Sequence, residues 1–368
     1  MKNVVLKTCL TTLVLAMSGL ASAADVTVSS SIETTLAAFE SGSGSETPLL
    51  INGYSAIAGG ALSVAAESKV KGHVAAQAAI TIGALTHLGE YNTVYNSEHS
   101  KDVFAGAAVT IGAGAWVGKV HAAAAAGVAA NAYVHHIQAG AAVTLGAPSY
   151  ASDIQAGAAI TLGAGSTAQD VNAAAAITGA TLRTGNDAKS GNVDSSKDIR
   201  GSGVNDMPYI GTTHIEPMTA FDISGALKAI ETAQVYLFGL TKEDVDGNGV
   251  HEAQSLETSM VGGTQLAGVY EGSALNIPAD SKIYITDDAI INLSDALTLG
   301  ANTKIVITPG KSVIWNVGSA LNLGAGTQFA GTAFVNGSVS GATADVCGDG
   351  SLYAAGALAI GSIGEPCL

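Results

Sequence analysis

Ala142-Val143-Thr144-Leu145-Gly146 and Ala159-Ile160-Thr161-Leu162-Gly163 are two copies of one pentapeptide, Ala-φ-Thr-φ-Gly with φ apolar. From position 142 to position 159 the step is 17. Ala108-Val109-Thr110-Ile111-Gly112 lies twice that step upstream, and the degenerate Ala125-Ala126-Gly127-Val128-Ala129 fills the place between. Ala176-Ile177-Thr178 follows one further step on. Upstream, Ala79-Ile80-Thr81-Ile82-Gly83 and Ala61-Leu62-Ser63-Val64 differ by one more, a step of 18 from 61 to 79. The gap of 29 from Ala79 to Ala108 leaves room for an insertion, which the polar stretch Glu90 to His99 supplies.

Self-similarity at such a fixed step is the mark of a solenoid. Within each copy apolar and small residues alternate with period two, which is strand and not helix. Ile80 and Ile82 are expected to point inward, and Ala79, Thr81 and Gly83 outward. A step of this size accommodates three short strands and three tight corners. The fold class expected is therefore an all-β solenoid, a roughly triangular β-helix of about 17-residue coils stacked at the sheet spacing of about 4.8 Å. A hexapeptide coil with a step of 18 is a second reading, since Ile111-Gly112 and Val117-Gly118 are six apart.

Composition agrees. Of 368 residues, 46 are glycine, and charged residues are 12%, about half the usual share of roughly 25%. Small residues fill a narrow core and turn sharp corners. With 15 Lys and Arg against 30 Asp and Glu, the chain lacks the cationic surface for nucleic acid or anionic membranes. Hydrophobic residues at 48% are too many for a disordered chain.

The ends carry their own signals. Lys2 and Lys7 precede an apolar run from Thr8 to Leu20, and Ala21-Ser22-Ala23 is a small-x-small cleavage site. Residues 1–23 read as a signal peptide cleaved after Ala23, and the run is too short to span a bilayer. No transmembrane segment is expected in the mature chain. Cys9 leaves with the signal, so Cys347 and Cys367 remain as an even pair in an oxidising compartment and are expected to form one disulfide, worth roughly 3 kcal/mol.

Four regions follow: the signal 1–23, a repetitive solenoid 24–182, a Gly/Ser/Asn-rich loop or linker 183–218, and 219–368, made of a helix and further coils. From about 220 to 240 apolar residues at Ile223, Leu227, Ile230, Val235 and Leu237 are separated by helix-favouring Ala, Lys and Glu, with Thr219 and Asp222 as possible caps. Ala296-Leu297-Thr298-Leu299-Gly300, Ala320-Leu321-Asn322-Leu323-Gly324 and Ala357-Leu358-Ala359-Ile360-Gly361 then echo the pentapeptide at uneven spacings.

This layout resembles the bacterial ice-binding-protein-like family, whose members form a discontinuous β-helix with one long α-helix packed alongside. The resemblance is carried by Tyr54-Ser55-Ala56-Ile57-Ala58-Gly59-Gly60, by the helix from Ala220, by Leu266-Ala267-Gly268-Val269-Tyr270, and most strongly by Val313 to Thr332, which is similar to the family's Trp-x-Val-Gly, Leu-Gly-x-Gly and Phe-x-Gly-Thr succession. It implies ice as the partner, with no enzymatic activity and no required cofactor. The regular array at 78–182 departs from the family pattern in length and regularity, and resembles exported polymer-forming solenoids.

The candidate binding face is the outward ladder Thr81, Thr110, Thr144, Thr161 and Thr178, with Ala108, Ala142 and Ala159 beside it. An uncharged lattice of methyls and hydroxyls can match ice through ordered water. Gly127 interrupts it. Threonine is also simply a good strand residue multiplied by duplication, and Thr298, Asn322 and Thr327 offer another location. A second constellation, Asp244, Asp246, Asn248, Val250 and Glu252 with Gly249 at the sixth position, opens like a calcium loop but has Ser255 where the bidentate carboxylate belongs. The eight histidines show no metal-ligand spacing and read as solvated surface. Asp287 and Asp288 are a weak carboxylate pair, Trp116 and Trp315 read as core or corner residues, and no nucleophile motif is present. The expectation is an exported ice-binding protein, secreted or periplasmic. The alternative is an extracellular structural or adhesive protein of a surface or biofilm matrix.

Overall fold

A computed structural model describes residues 51, 53–89, 100–175, 177–179, 199–200, 221–240, 254–255 and 265–366. The signal peptide, the insertion at 90–99, the calcium-like loop at 244–252, Thr219 and Cys367 lie outside them. The chain packs as two units. One, the repeat unit, comprises Ala58–Ile223 and Leu358–Glu365; the other, the helix-bearing unit, comprises Ser224–Ala357 with Pro366 and the described residues before Ala58.

The repeat unit is a β-solenoid. Its coils alternate a three-residue strand with a longer one, as in Ala126–Val128, Tyr133–Ala139, Val143–Leu145 and Tyr150–Ala156. Short strands pair in parallel one coil apart, Val143 with Ile160 and Ile160 with Ile177. The insertion changes nothing in register: Ile80 pairs with Val109, and an antiparallel bridge from Gly89 to Ser100 closes its base. The long strands bend. Val134 pairs with Ala151 and His136 with Asp153, while His135 and Ser152 between them do not pair. Each coil thus turns three faces to the outside.

Alternation decides which residues fill the interior. Ile80, Ile82, Val109, Ile111, Val143, Leu145, Ile160 and Leu162 are 0–3% exposed, while the residue between each pair is exposed. At one corner the backbone passes through positive φ at Glu67, Leu85, Gly114, Asn131 and Gly165. A buried hydroxyl beside it bonds a carbonyl of a neighbouring coil: Thr86 Oγ1 donates to Ala65 O at 2.8 Å, Ser149 to Ala129 O at 2.8 Å, and Ser166 to Gly146 O at 3.0 Å. These bonds satisfy peptide groups that the turn removes from the ladder. At another corner a Cβ on Gly140 or Gly157 would collide with the carbonyl of Ala123 or Gly140 in the coil before, while alanine holds the equivalent corner at Ala123 and Ala174.

Two placements differ from the sequence reading. Within the expected loop 183–218, Ile199–Arg200 is a strand that pairs with Ile177–Gly179. The C-terminal echo Leu358–Ile360 does not continue the coils of 219–357. It pairs with Leu62–Val64, and Ile363 pairs with Val70, so the end of the chain supplies a rung to the repeat unit.

In the helix-bearing unit, Leu275–Ile277, Leu297–Leu299, Leu321–Leu323 and Val339–Gly341 stack in parallel, and their starting positions are unevenly spaced. The helix α1 runs Ile223–Leu240. Ala226, Ile230, Ala233 and Leu237 form its buried stripe at the spacing of one helix face. Two carbonyls in its C-terminal half accept from side chains: Asn292 Nδ2 donates to Leu237 O at 2.9 Å and Asn316 Nδ2 to Gln234 O at 3.1 Å, the latter also to Asn292 Oδ1 at 2.8 Å. Trp315 is fully buried, its Nε1–H donating to Ala330 O at 3.0 Å.

Candidate functional site

The expected threonines meet on one face of the repeat unit. Thr81 pairs with Thr110, Gly127 stands between Thr110 and Thr144 in the stack, and Thr161 pairs with Thr144 on one side and Thr178 on the other. All five threonines are exposed. Thr178 Oγ1 donates to Thr161 Oγ1 at 3.3 Å; the hydroxyls of Thr81, Thr110 and Thr144 bond no described residue. The short strand explains this geometry. With only three residues, its middle side chain is the one that must face outward when the flanking two fill the core.

The flanking columns are smaller still. On one side stand Ala108, Ala142 and Ala159, partly exposed, whose carbonyls accept from Ile80, Ala126 and Val143 N–H groups at 3.0 Å. On the other stand Gly112, Gly146 and Gly163, where a Cβ would meet the backbone of the preceding coil. From Ser63 to Thr178 no ionisable side chain stands in any of the three columns; Arg200, paired with Thr178, is the next rung. At Gly127 a Cβ would meet nothing within 4 Å.

The column is longer than the Thr motif suggested. Ser63 pairs with Thr81, and Ala359 with Ser63, which extends it by two rungs. The step from Ala61 to Ala79 was enough to find Ser63. Ala359 gave no such signal, because it and Ser63 stand near opposite ends of the sequence. The alternative location in the helix-bearing unit differs. Asn276, Thr298, Asn322 and Ser340 form a column there, but Asn322 Nδ2 donates to Thr298 Oγ1 at 3.4 Å and Ser340 Oγ to Asn322 Oδ1 at 2.9 Å. Thr327 is no surface group: it is 0% exposed and donates to Gly300 O at 3.1 Å.

Several other candidates take structural places. Asp287 receives Lys311 Nζ at 2.6 Å, and Asp288 Oδ1 accepts the Ser312 N–H at 2.9 Å. The hydrogen bond from Lys311 holds the Asp287 carboxyl below the usual carboxylate range. The histidines are not simply solvated. Asp102 N–H donates to His73 Nδ1 at 2.9 Å, and His136 is buried with Nδ1 3.5 Å from Asp153. Burial pushes His73, His87, His121 and His135 below the ordinary imidazole value. Among the described residues no group of three or more His, Cys, Asp or Glu is placed to hold a metal. Cys347 is buried at 6% exposure, and its expected partner Cys367 lies outside the described residues.

A family model described as Ice-binding-like matches residues 151–363. The chain belongs to the ice-binding-like family. The match spans more than half of the chain, taking in the last coils of the repeat unit, α1 and the helix-bearing coils, and it contains the Val313 to Thr332 run. A comparison with solved structures finds the crystal structure of an ice binding protein from an Antarctic bacterium, Flavobacteriaceae, with 14% identity, 92% of this chain and 85% of that chain covered, and a TM-score of 0.30. No curated protein matches. Among the described residues no helix is long and apolar enough to cross a membrane.

Proposed function

We propose that this is an exported ice-binding protein that adsorbs to ice through the column Ser63, Thr81, Thr110, Thr144, Thr161 and Thr178 and its alanine flank. The observation that carries the reading is the combination, on one face, of register, exposure and the absence of charge over the rungs from Ser63 to Thr178, with Arg200 as the rung beyond. Rungs repeat at about 4.8 Å along the axis, and outward residues of one strand lie about 7 Å apart. Hydroxyls on so fixed a frame hold first-layer water at set positions, and water already ordered costs little to share with a crystal. The adjacent methyl groups keep that water from being bound as tightly as it would be by charges. Adsorption of this kind restrains crystal growth and recrystallisation without a bond being made or broken, so the reading needs no catalytic group.

Export follows from the leader ending at Ala23, the Cys347–Cys367 pair is then free to oxidise, and the Asp244 loop takes up calcium as an accessory ligand. Calorimetric titration with calcium, paired with melting in chelator, tests that last element: no heat and an unmoved melting temperature eliminate it. The face itself is tested by Thr144→Tyr combined with Thr161→Tyr. The double variant is expected to lose thermal hysteresis and ice partition while its circular dichroism stays that of the parent. Unchanged hysteresis removes this face.

A further inference from the structure

The coil repeat that sets threonines on the short strand sets aromatic rings on the long one. Trp116, Tyr133 and Tyr150 pair in register, with His87 paired to Trp116 at one end and Thr167 to Tyr150 at the other. Ring centroids are 5.0 Å apart from His87 to Trp116, 5.4 Å from Trp116 to Tyr133 and 6.1 Å from Tyr133 to Tyr150. The next residues, Val117, Val134 and Ala151, are fully buried, so alternation sends these rings outward; Tyr133 is 39% exposed. Core filling therefore does not account for them. Ring-on-ring contact between coils gives about 0.5–1.5 kcal/mol per pair, but three consecutive aromatics in a chain that is only 5% aromatic also build a row of apolar plates, one per coil.

We propose that this column binds a β-1,4-linked glycan chain laid along the solenoid axis, with one pyranose ring against each aromatic ring. A pyranose has an apolar C–H face and a rim of hydroxyls, which suits a ring flanked by groups that donate and accept. The tyrosine hydroxyls and Thr167 supply these along the row, and Lys69, paired to His87, supplies donors at its end. An extended chain advances by about one pyranose length per sugar residue, on the order of the coil spacing of about 4.8 Å, so successive sugars meet successive coils. Nucleic-acid bases could also stack on such rings, but the net charge of −15 opposes a polyanion. A stable protein partner needs roughly 800 Å² on this side, more than one row of rings offers.

The mature chain is tested by co-sedimentation with microcrystalline cellulose and by fluorescence titration with cellohexaose. Trp315 is fully buried, so a ligand-dependent emission change reports Trp116. The parent protein is expected to be retained on cellulose and to shift its emission. Combined Trp116→Ala, Tyr133→Ala and Tyr150→Ala is expected to weaken retention about tenfold or more with ice recrystallisation inhibition unchanged. Where that triple variant does not fold, the single exposed change Tyr133→Ser carries the same comparison. A parent that ignores both probes, or folded variants that bind them equally well, overturns the proposal.

Discussion

The two units carry the same local device and use it differently. Each has a stack of three-residue strands with two buried residues around one outward residue. In the repeat unit the outward column is Thr81, Thr110, Thr144, Thr161 and Thr178, and only the last two are joined by a side-chain bond. In the helix-bearing unit Thr298, Asn322 and Ser340 bond one another. The first column leaves its donors and acceptors to water; the second spends them on itself. Coil length accompanies the difference. A constant step from Gly127 to Thr144, Thr161 and Thr178 keeps every rung alike, whereas the unequal steps from Asn276 to Thr298, Asn322 and Ser340 vary the loops and the side chains between rungs.

The comparison breaks first at the surface. If the open column is the one that meets ice, Asn322→Tyr in the self-bonded column leaves hysteresis within error of the parent, while the Thr144→Tyr and Thr161→Tyr pair removes nearly all of it. Equal losses from both would mean that neither column is distinguished. The second largest effect is expected under α1. Asn316→Ala deletes the bonds to Gln234 O, which keeps its helical donor, and to the buried Asn292 Oδ1, which loses this donor, at a cost of about 1–3 kcal/mol. Urea unfolding measures it. No change in midpoint would mean that α1 is held by its apolar stripe alone.

Acid separates the units by a different route. The described histidines all lie in the repeat unit, and burial lowers His73, His87, His121 and His135 in the folded state. A lowered imidazole favours the neutral form on folding, so its contribution is complete above the unfolded value of about 6.5 and is lost as pH falls through the folded values. Asp287, in the helix-bearing unit, is lowered by Lys311, and what it contributes is lost only below about pH 4. Amide hydrogen exchange between about pH 7 and pH 5 is expected to show the repeat unit loosening first. Uniform loosening across both units would mean that the histidines do not set this order.

Much of the repeat unit is readable from the chain because a constant step is itself a register. Once the pentapeptide recurs at equal intervals, Thr144 must pair with Thr161, and alternation fixes which residues are buried. The uneven part is not readable. Nothing local tells Leu358 to pair with Leu62, since the two strands of that rung lie near opposite ends of the chain. Thr86, Ser149, Ser166 and Thr327 look like surface groups by polarity and are buried because each caps a carbonyl from an adjacent turn. Trp116 reads as core in isolation; only the step to Tyr133 and Tyr150 marks it as a member of an outward row.

The smallest expected effect is the most pointed. Gly127 is the one rung of the open column between Thr81 and Thr178 that lacks a side chain, yet its backbone is ordinary: its φ is not in the left-handed region, it pairs on both sides like its neighbours, and an added Cβ meets nothing. Gly127→Thr therefore fills the gap without strain, and replacing glycine by a β-branched residue in a strand stabilises by up to about 1 kcal/mol. Gly140→Ala, a smaller change one corner away, collides with the Ala123 carbonyl and destabilises. If water order along the threonines is what ice recognises, the Gly127→Thr protein melts slightly higher and inhibits recrystallisation at a lower concentration. A protein that is stabilised but no more active would show that the two runs of threonine on either side of Gly127 act independently, and that continuity of the column is not the property ice reads.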